Sequence, residues 1–82
     1  MTIDFRPKGV CSRHMTVEVE QGVIRSLHVE GGCSGNLQGI SRLVEGMEVQ
    51  DAIRRLEGIR CGFKATSCPD QLAQALKGAV QE

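Results

Sequence analysis

A chain of 82 residues makes one small domain, near the size at which core burial only just offsets conformational entropy, so a metal, a partner or a homodimer interface is a natural supplement. Ten basic and ten acidic residues cancel to a formal net charge of zero, and no basic run is present, which argues against a generic nucleic-acid or anionic-membrane binder. With no Trp or Tyr and only Phe5 and Phe63, the core must come from Val, Ile, Leu, Met and Ala.

Thr2 to Phe5 alternates polar and apolar, with Ile3 and Phe5 on one face, and Pro7 then removes a ladder donor, which predicts a short first or edge strand. Lys8 to His14 has no clear period and reads as a loop or a bulged strand carrying the first thiol, Cys11, toward the sheet. Met15, Val17 and Val19 alternate with Thr16, Glu18 and Glu20, the pattern of a half-buried strand. Gln21-Gly22 supplies a two-residue break, and Val23 to Glu30 returns with Leu27 and Val29 inward, so the two runs form a hairpin. Arg25 shares the parity of Leu27 and Val29, which places the start of that strand at the sheet margin.

Gly31-Gly32-Cys33-Ser34-Gly35-Asn36 leads to a helix expected from about Leu37 to Glu45, with Leu37, Ile40, Leu43 and Val44 at helical spacing. Gly46 follows where a left-handed residue is wanted, and Val49, Ala52, Ile53 and Leu56 then carry a second helix, closed by Gly58. Ile59 to Phe63 is a short apolar run that reads as a last strand. A terminal helix from about Pro69 to Val80 places Leu72, Ala75, Leu76, Ala79 and Val80 on one face. The expectation is an α+β domain spanning residues 1–82, with a small antiparallel N-terminal sheet packed against about three short helices. No apolar stretch approaches a bilayer span and no signal-peptide pattern opens the chain, so a cytoplasmic setting is expected. There the four cysteines are expected as thiols, metal ligands or redox groups rather than permanent disulfides.

The stretch Cys61-Gly62-Phe63-Lys64-Ala65-Thr66-Ser67-Cys68-Pro69-Asp70 holds two thiols and a helix start. Ser67 with an acid three residues on has the form of a capping box, and proline is tolerated in the first helical turn, where its missing N–H is not needed. A helix beginning here would aim its N-terminal amides and positive dipole end at Cys68, a setting that favours a thiolate as metal ligand or nucleophile.

The run Thr66-Ser67-Cys68-Pro69-Asp70 resembles the signature that names the TSCPD domain family. The blocks Gly9-Val10-Cys11-Ser12, Gly31-Gly32-Cys33-Ser34-Gly35-Asn36-Leu37, Leu56-Glu57-Gly58-Ile59-Arg60-Cys61-Gly62 and Asp70-Gln71-Leu72-Ala73 are similar to those of its small stand-alone members. Larger relatives carry this domain as an appendage of adenosylcobalamin (vitamin B12)-dependent ribonucleotide reductases. The resemblance therefore implies a link to deoxyribonucleotide synthesis and DNA replication, with a ribonucleotide reductase as partner and cobalamin only by association. It implies ribonucleoside-diphosphate reductase activity only for the larger enzymes, since 82 residues cannot enclose a radical-generating barrel, a cobalamin site and a substrate site.

Four chemistries stay open. Cys11, Cys33, Cys61 and Cys68 match the arithmetic of a tetrahedral zinc site, although no C-x-x-C knuckle presets a pair, and some of the four can equally be small buried hydrophobes. His14, close to Cys11 in the chain, is a substitute ligand. Cys61 and Cys68 are a candidate redox dithiol. Backbone amides around Gly32, Ser34, Gly35 and Asn36, at the start of the following helix, are a candidate phosphate or nucleotide cradle, with Arg60 and Lys64 as added charge, although glycines before a helix more often serve turn geometry. The fourth is a structural or protein-interaction module with a Cys-stabilised small core. His28 lies on the polar parity of the hairpin, Asp70 reads as a helix-start acid, and no catalytic residue is assigned.

Overall fold

The alternation of Met15, Val17 and Val19 is realised as the central strand of a three-stranded antiparallel sheet in a computed structural model, which describes residues 1–80 apart from Cys11 and Cys33, and only the backbone of Ser34 and Val80. The elements in chain order are β1 (Thr2–Phe5), β2 (Ser12–Glu20), β3 (Val23–Gly31), α1 (Ser34–Val44), α2 (Val49–Leu56) and α3 (Cys68–Val80). The sheet order is β1-β2-β3, so the expected α+β architecture, with its N-terminal sheet and three helices, is the one observed.

The hairpin turns on Gln21 and Gly22, with φ of 53° and 77°, the left-handed pair that a two-residue turn needs to match strand twist. β1 is an edge strand pairing Ile3 with Val17 and Phe5 with Met15. Within β2–β3 the register shifts between Glu18 and Val19, because Glu18 faces Ser26 while Val19 faces Ile24. Arg25 is the extra residue of that bulge, and the bulge resets the parity of β3: Leu27 lies inward on one side of it and Ile24 on the other. Arg25 is therefore exposed because a bulge releases it, a correction to the expectation of a strand beginning at the sheet margin. A second shift between Ser12 and His14 confirms the bulged entry to β2.

The core joins Met15, Val17 and Val19 of β2 and Ile24 and Leu27 of β3 to Val44, Val49, Ala52, Ile53, Leu72 and Leu76 of the helices. Two helical expectations are corrected. α1 begins at Ser34 rather than Leu37 and ends at Val44. The buried stripe of α3 is Leu72, Ala73 and Leu76, with Ala75 only half-buried and Ala79 exposed, because Ala75 stands to one side of that stripe, while Ala79, nearly two turns on from Leu72 and in line with it, lies in the last turn beyond Leu76, where the helix has run past the core.

Ile59 to Phe63 is not a strand. Its main chain curls into a turn in which the Lys64 N–H donates to the Cys61 carbonyl at 3.0 Å and the Cys61 N–H donates to the Thr66 carbonyl at 3.2 Å. Gly62, at φ +60°, supplies the left-handed residue that this tight return needs. Ile59 and Phe63 are exposed, so their apolar character reflects no ladder.

Candidate functional site

The stretch from Gly58 to Asp70 is held by Asp70 rather than by the cysteines. Ser67 caps α3, its Oγ accepting the Asp70 N–H at 3.1 Å, as expected of the residue before the first helical turn. The return half of a capping box is missing. Aspartate is one methylene shorter than glutamate, and the Asp70 carboxylate turns the other way, accepting the Gly58 N–H at 2.7 Å and the Thr66 hydroxyl. Thr66 Oγ1 also accepts Gln71 Nε2 at 3.0 Å, and Gln71 Oε1 accepts the Lys8 N–H at 3.1 Å. One chain of bonds thus ties the end of α2, the start of α3 and the N-terminal loop. Asp70 is only 7% exposed. The Thr66 hydroxyl first, then the Gly58 amide, hold its carboxyl below the ordinary value of 3.8, against the upward push of burial; Gln74 and the Lys77 charge add to the lowering.

Cys68, the first residue of α3, is half-buried and packs against the core. Its Sγ lies 3.1 Å from the Oγ of Ser12, a residue only 4% exposed at the start of β2. Cys61 is exposed. Both thiols open onto one groove of about 430 Å³. Its apolar wall is Val10, Leu37, Ile40, Ile59 and Pro69, and Asn36, Arg60, Lys64 and Ser67 supply its polar groups.

Of the residues expected to form a site, the structure brings Cys61, Cys68 and Asn36 together, with Arg60 and Lys64 beside them. Gly32 is placed elsewhere: a Cβ there would stand 2.8 Å from Leu37 Cδ1 and 3.1 Å from the Ser12 nitrogen at φ +75°, so this glycine is required for close packing between the β3–α1 turn and β2. Gly35 faces open space. The Ser34 side chain, Cys11 and Cys33 lie outside the described residues, so the cradle and the four-cysteine set are described only in part. Among the described residues no three His, Cys, Asp or Glu side chains are grouped to hold a metal ion. His14 sits within β2 with Nε2 against the Asp4 carboxylate, and His28 is exposed on β3. No helix among the described residues is long and apolar enough to cross a membrane.

Sequence reasoning missed Ser12 as the partner of Cys68 and Gly58 as the donor to Asp70. The available signal was adjacency alone, Ser12 following Cys11 and Gly58 standing in the block before Cys61.

The model of the TSCPD domain matches residues 2–80 of the chain. No curated protein and no solved structure matches it.

Proposed function

The chain belongs to the TSCPD domain family, and from that premise we propose that it is an accessory module of deoxyribonucleotide synthesis that binds a metal ion through its cysteines and works beside a ribonucleotide reductase. The observation carrying the metal is the shared groove of Cys61 and Cys68. Thiolates suit zinc, and a closed four-thiolate site would add binding energy to the folding of a small core. The residues that would hold the ion are Cys11, Cys33, Cys61 and Cys68.

Native mass spectrometry of chelator-free protein, with thiol alkylation before and after denaturation, tests the metal. A gain of one zinc with protected thiols supports it, and a metal-free mass with freely alkylated thiols rejects it. The partner is tested separately, by adding the domain to a cobalamin-dependent reductase whose own TSCPD tail has been removed. Recovered turnover supports the accessory role, and no recovery together with no co-sedimentation rejects it.

A second reading, a nucleotide in the same groove, is favoured by one feature: Asn36, Arg60 and Lys64 border an apolar wall, the pairing that a base and a phosphate need. Adding ATP or dATP should then shift the amide signals of Asn36, Arg60 and Lys64, and Lys64→Ala should weaken the shift. Unmoved signals at millimolar ligand reject this reading.

A further inference from the structure

On the outer edge of β3, Leu27 and Val29 carry main-chain groups with no main-chain partner among the described residues, and the orientation of those groups follows from β2. Val19 exchanges both main-chain bonds with Met1, each at 2.8 Å, so its N–H and C=O point toward the β1 side. By strand alternation those of Val17 and Met15 do the same. Leu27 stands opposite Val17 and Val29 opposite Met15, which turns the N–H and C=O of Leu27 and Val29 away from β2, to the outside of the sheet. Ile24, opposite Val19, points outward too and is covered: its N–H donates to the Met47 carbonyl at 2.8 Å and its carbonyl accepts the Gly46 N–H at 2.7 Å. No main-chain partner from the described residues meets Leu27 or Val29 on that side.

The opposite edge of the sheet is blunted in the usual ways, since β1 has four residues and is followed by Pro7. Residues 26–30 contain no lysine or proline. A groove of about 470 Å³ runs along them, between Leu27, His28 and Val29 on one side and Gln38, Ser41 and Arg42 of α1 on the other.

We infer that this edge pairs with the same edge of a second copy, antiparallel about a two-fold axis at His28, to make a continuous six-stranded sheet. The occupant is a second copy because the edge is its own complement in this register. Leu27 of each chain faces Val29 of the other, and since both present N–H and C=O outward, the two pairs close four main-chain hydrogen bonds with their apolar side chains on one face. Ser26 meets Glu30, so no carboxylates oppose each other, and only the two His28 side chains meet at the axis. Pairing of this kind enlarges the buried core of an undersized domain, and it stands whether or not the cysteines hold a metal.

Light scattering and amide hydrogen exchange over a concentration series, on wild type, His28→Asp and Val29→Pro, test it. The wild type should show twice the 8.9 kDa chain mass, with the Leu27 and Val29 amides slowed about tenfold or more as concentration rises. His28→Asp sets two carboxylates face to face at an exposed position, and Val29→Pro removes an outward N–H that β2 does not use. Each should return the mass to 8.9 kDa with an unchanged circular dichroism spectrum. The inference is overturned by a wild-type mass of 8.9 kDa up to about 1 mM chain. It is equally overturned by a dimer that survives His28→Asp while the Leu27 and Val29 amides exchange freely.

Discussion

Asp70→Ala is expected to be the most damaging single change outside the apolar core. The carboxylate accepts the Gly58 N–H at 2.7 Å, the Thr66 hydroxyl and, at the long distance of 3.5 Å, Gln74 Nε2. Two of these are charge-assisted bonds, each costing roughly 1.5–3 kcal/mol on deletion. Gly58 is exposed and Thr66 half-buried, so both regain some hydration, and the total is about 2–4 kcal/mol. At about 4–8 °C per kcal/mol for a domain of this size, the melting temperature should fall by about 8–30 °C. Circular dichroism melts and urea titrations measure this directly. Asp70→Asn keeps the shape and removes the charge, which isolates the pH dependence. The folded-state carboxyl titrates below its ordinary 3.8, so its contribution is fully present above that value and is lost as pH falls through the lower, folded one. Wild type should therefore lose stability below about pH 4 more steeply than Asp70→Asn. A melting shift under about 4 °C for Asp70→Ala, or parallel acid profiles for wild type and Asp70→Asn, would refute the network as the staple of this region.

Ser67→Ala removes the cap on the Asp70 N–H and should cost about 1 kcal/mol, read as a smaller melting shift than that of Asp70→Ala. Gly32→Ala forces a Cβ to 2.8 Å from Leu37 Cδ1 at φ +75° and should destabilise by about 1–3 kcal/mol, whereas Gly35→Ala, in open space within α1, should be neutral or stabilising by up to about 1 kcal/mol. Paired urea titrations decide between packing and a backbone cradle as the reason for glycine at position 32. Phe63 is 111% exposed, so Phe63→Ser should change stability by no more than about 0.5 kcal/mol; a larger loss in thermal melts would show that the turn at Cys61 depends on the ring.

Much of this molecule is written in short-range pattern. The period-two run at Met15, Val17 and Val19, the Gln21-Gly22 break and the stripe Val49, Ala52, Ile53 and Leu56 each act over a few neighbouring residues. They produced the hairpin and α2 close to their observed bounds. Ser67 was likewise legible as a cap, because an N-cap bond spans only three residues. Of the candidate site, the sequence singled out Cys61, Cys68 and Asn36, which the fold brings to one groove, while the close approach of Gly32 to Leu37 and Ser12 is a contact across the chain that no local pattern shows.

What the sequence by itself determined is therefore the local grammar: strand, turn, helix and cap, with the family signature laid over them. Tertiary structure alone decided the rest. Whether Ile59 to Phe63 joined a sheet depended on an available edge, and the turn closed by Cys61, Lys64 and Thr66 took it away from one. The exposure of Arg25 depended on pairing with β2, which no parity within β3 can reveal. The partners of Cys68 and Asp70 stand 56 and 12 residues away at Ser12 and Gly58. Contacts at such separations are set by how the core closes, and a bond between distant residues leaves no periodic trace along the chain.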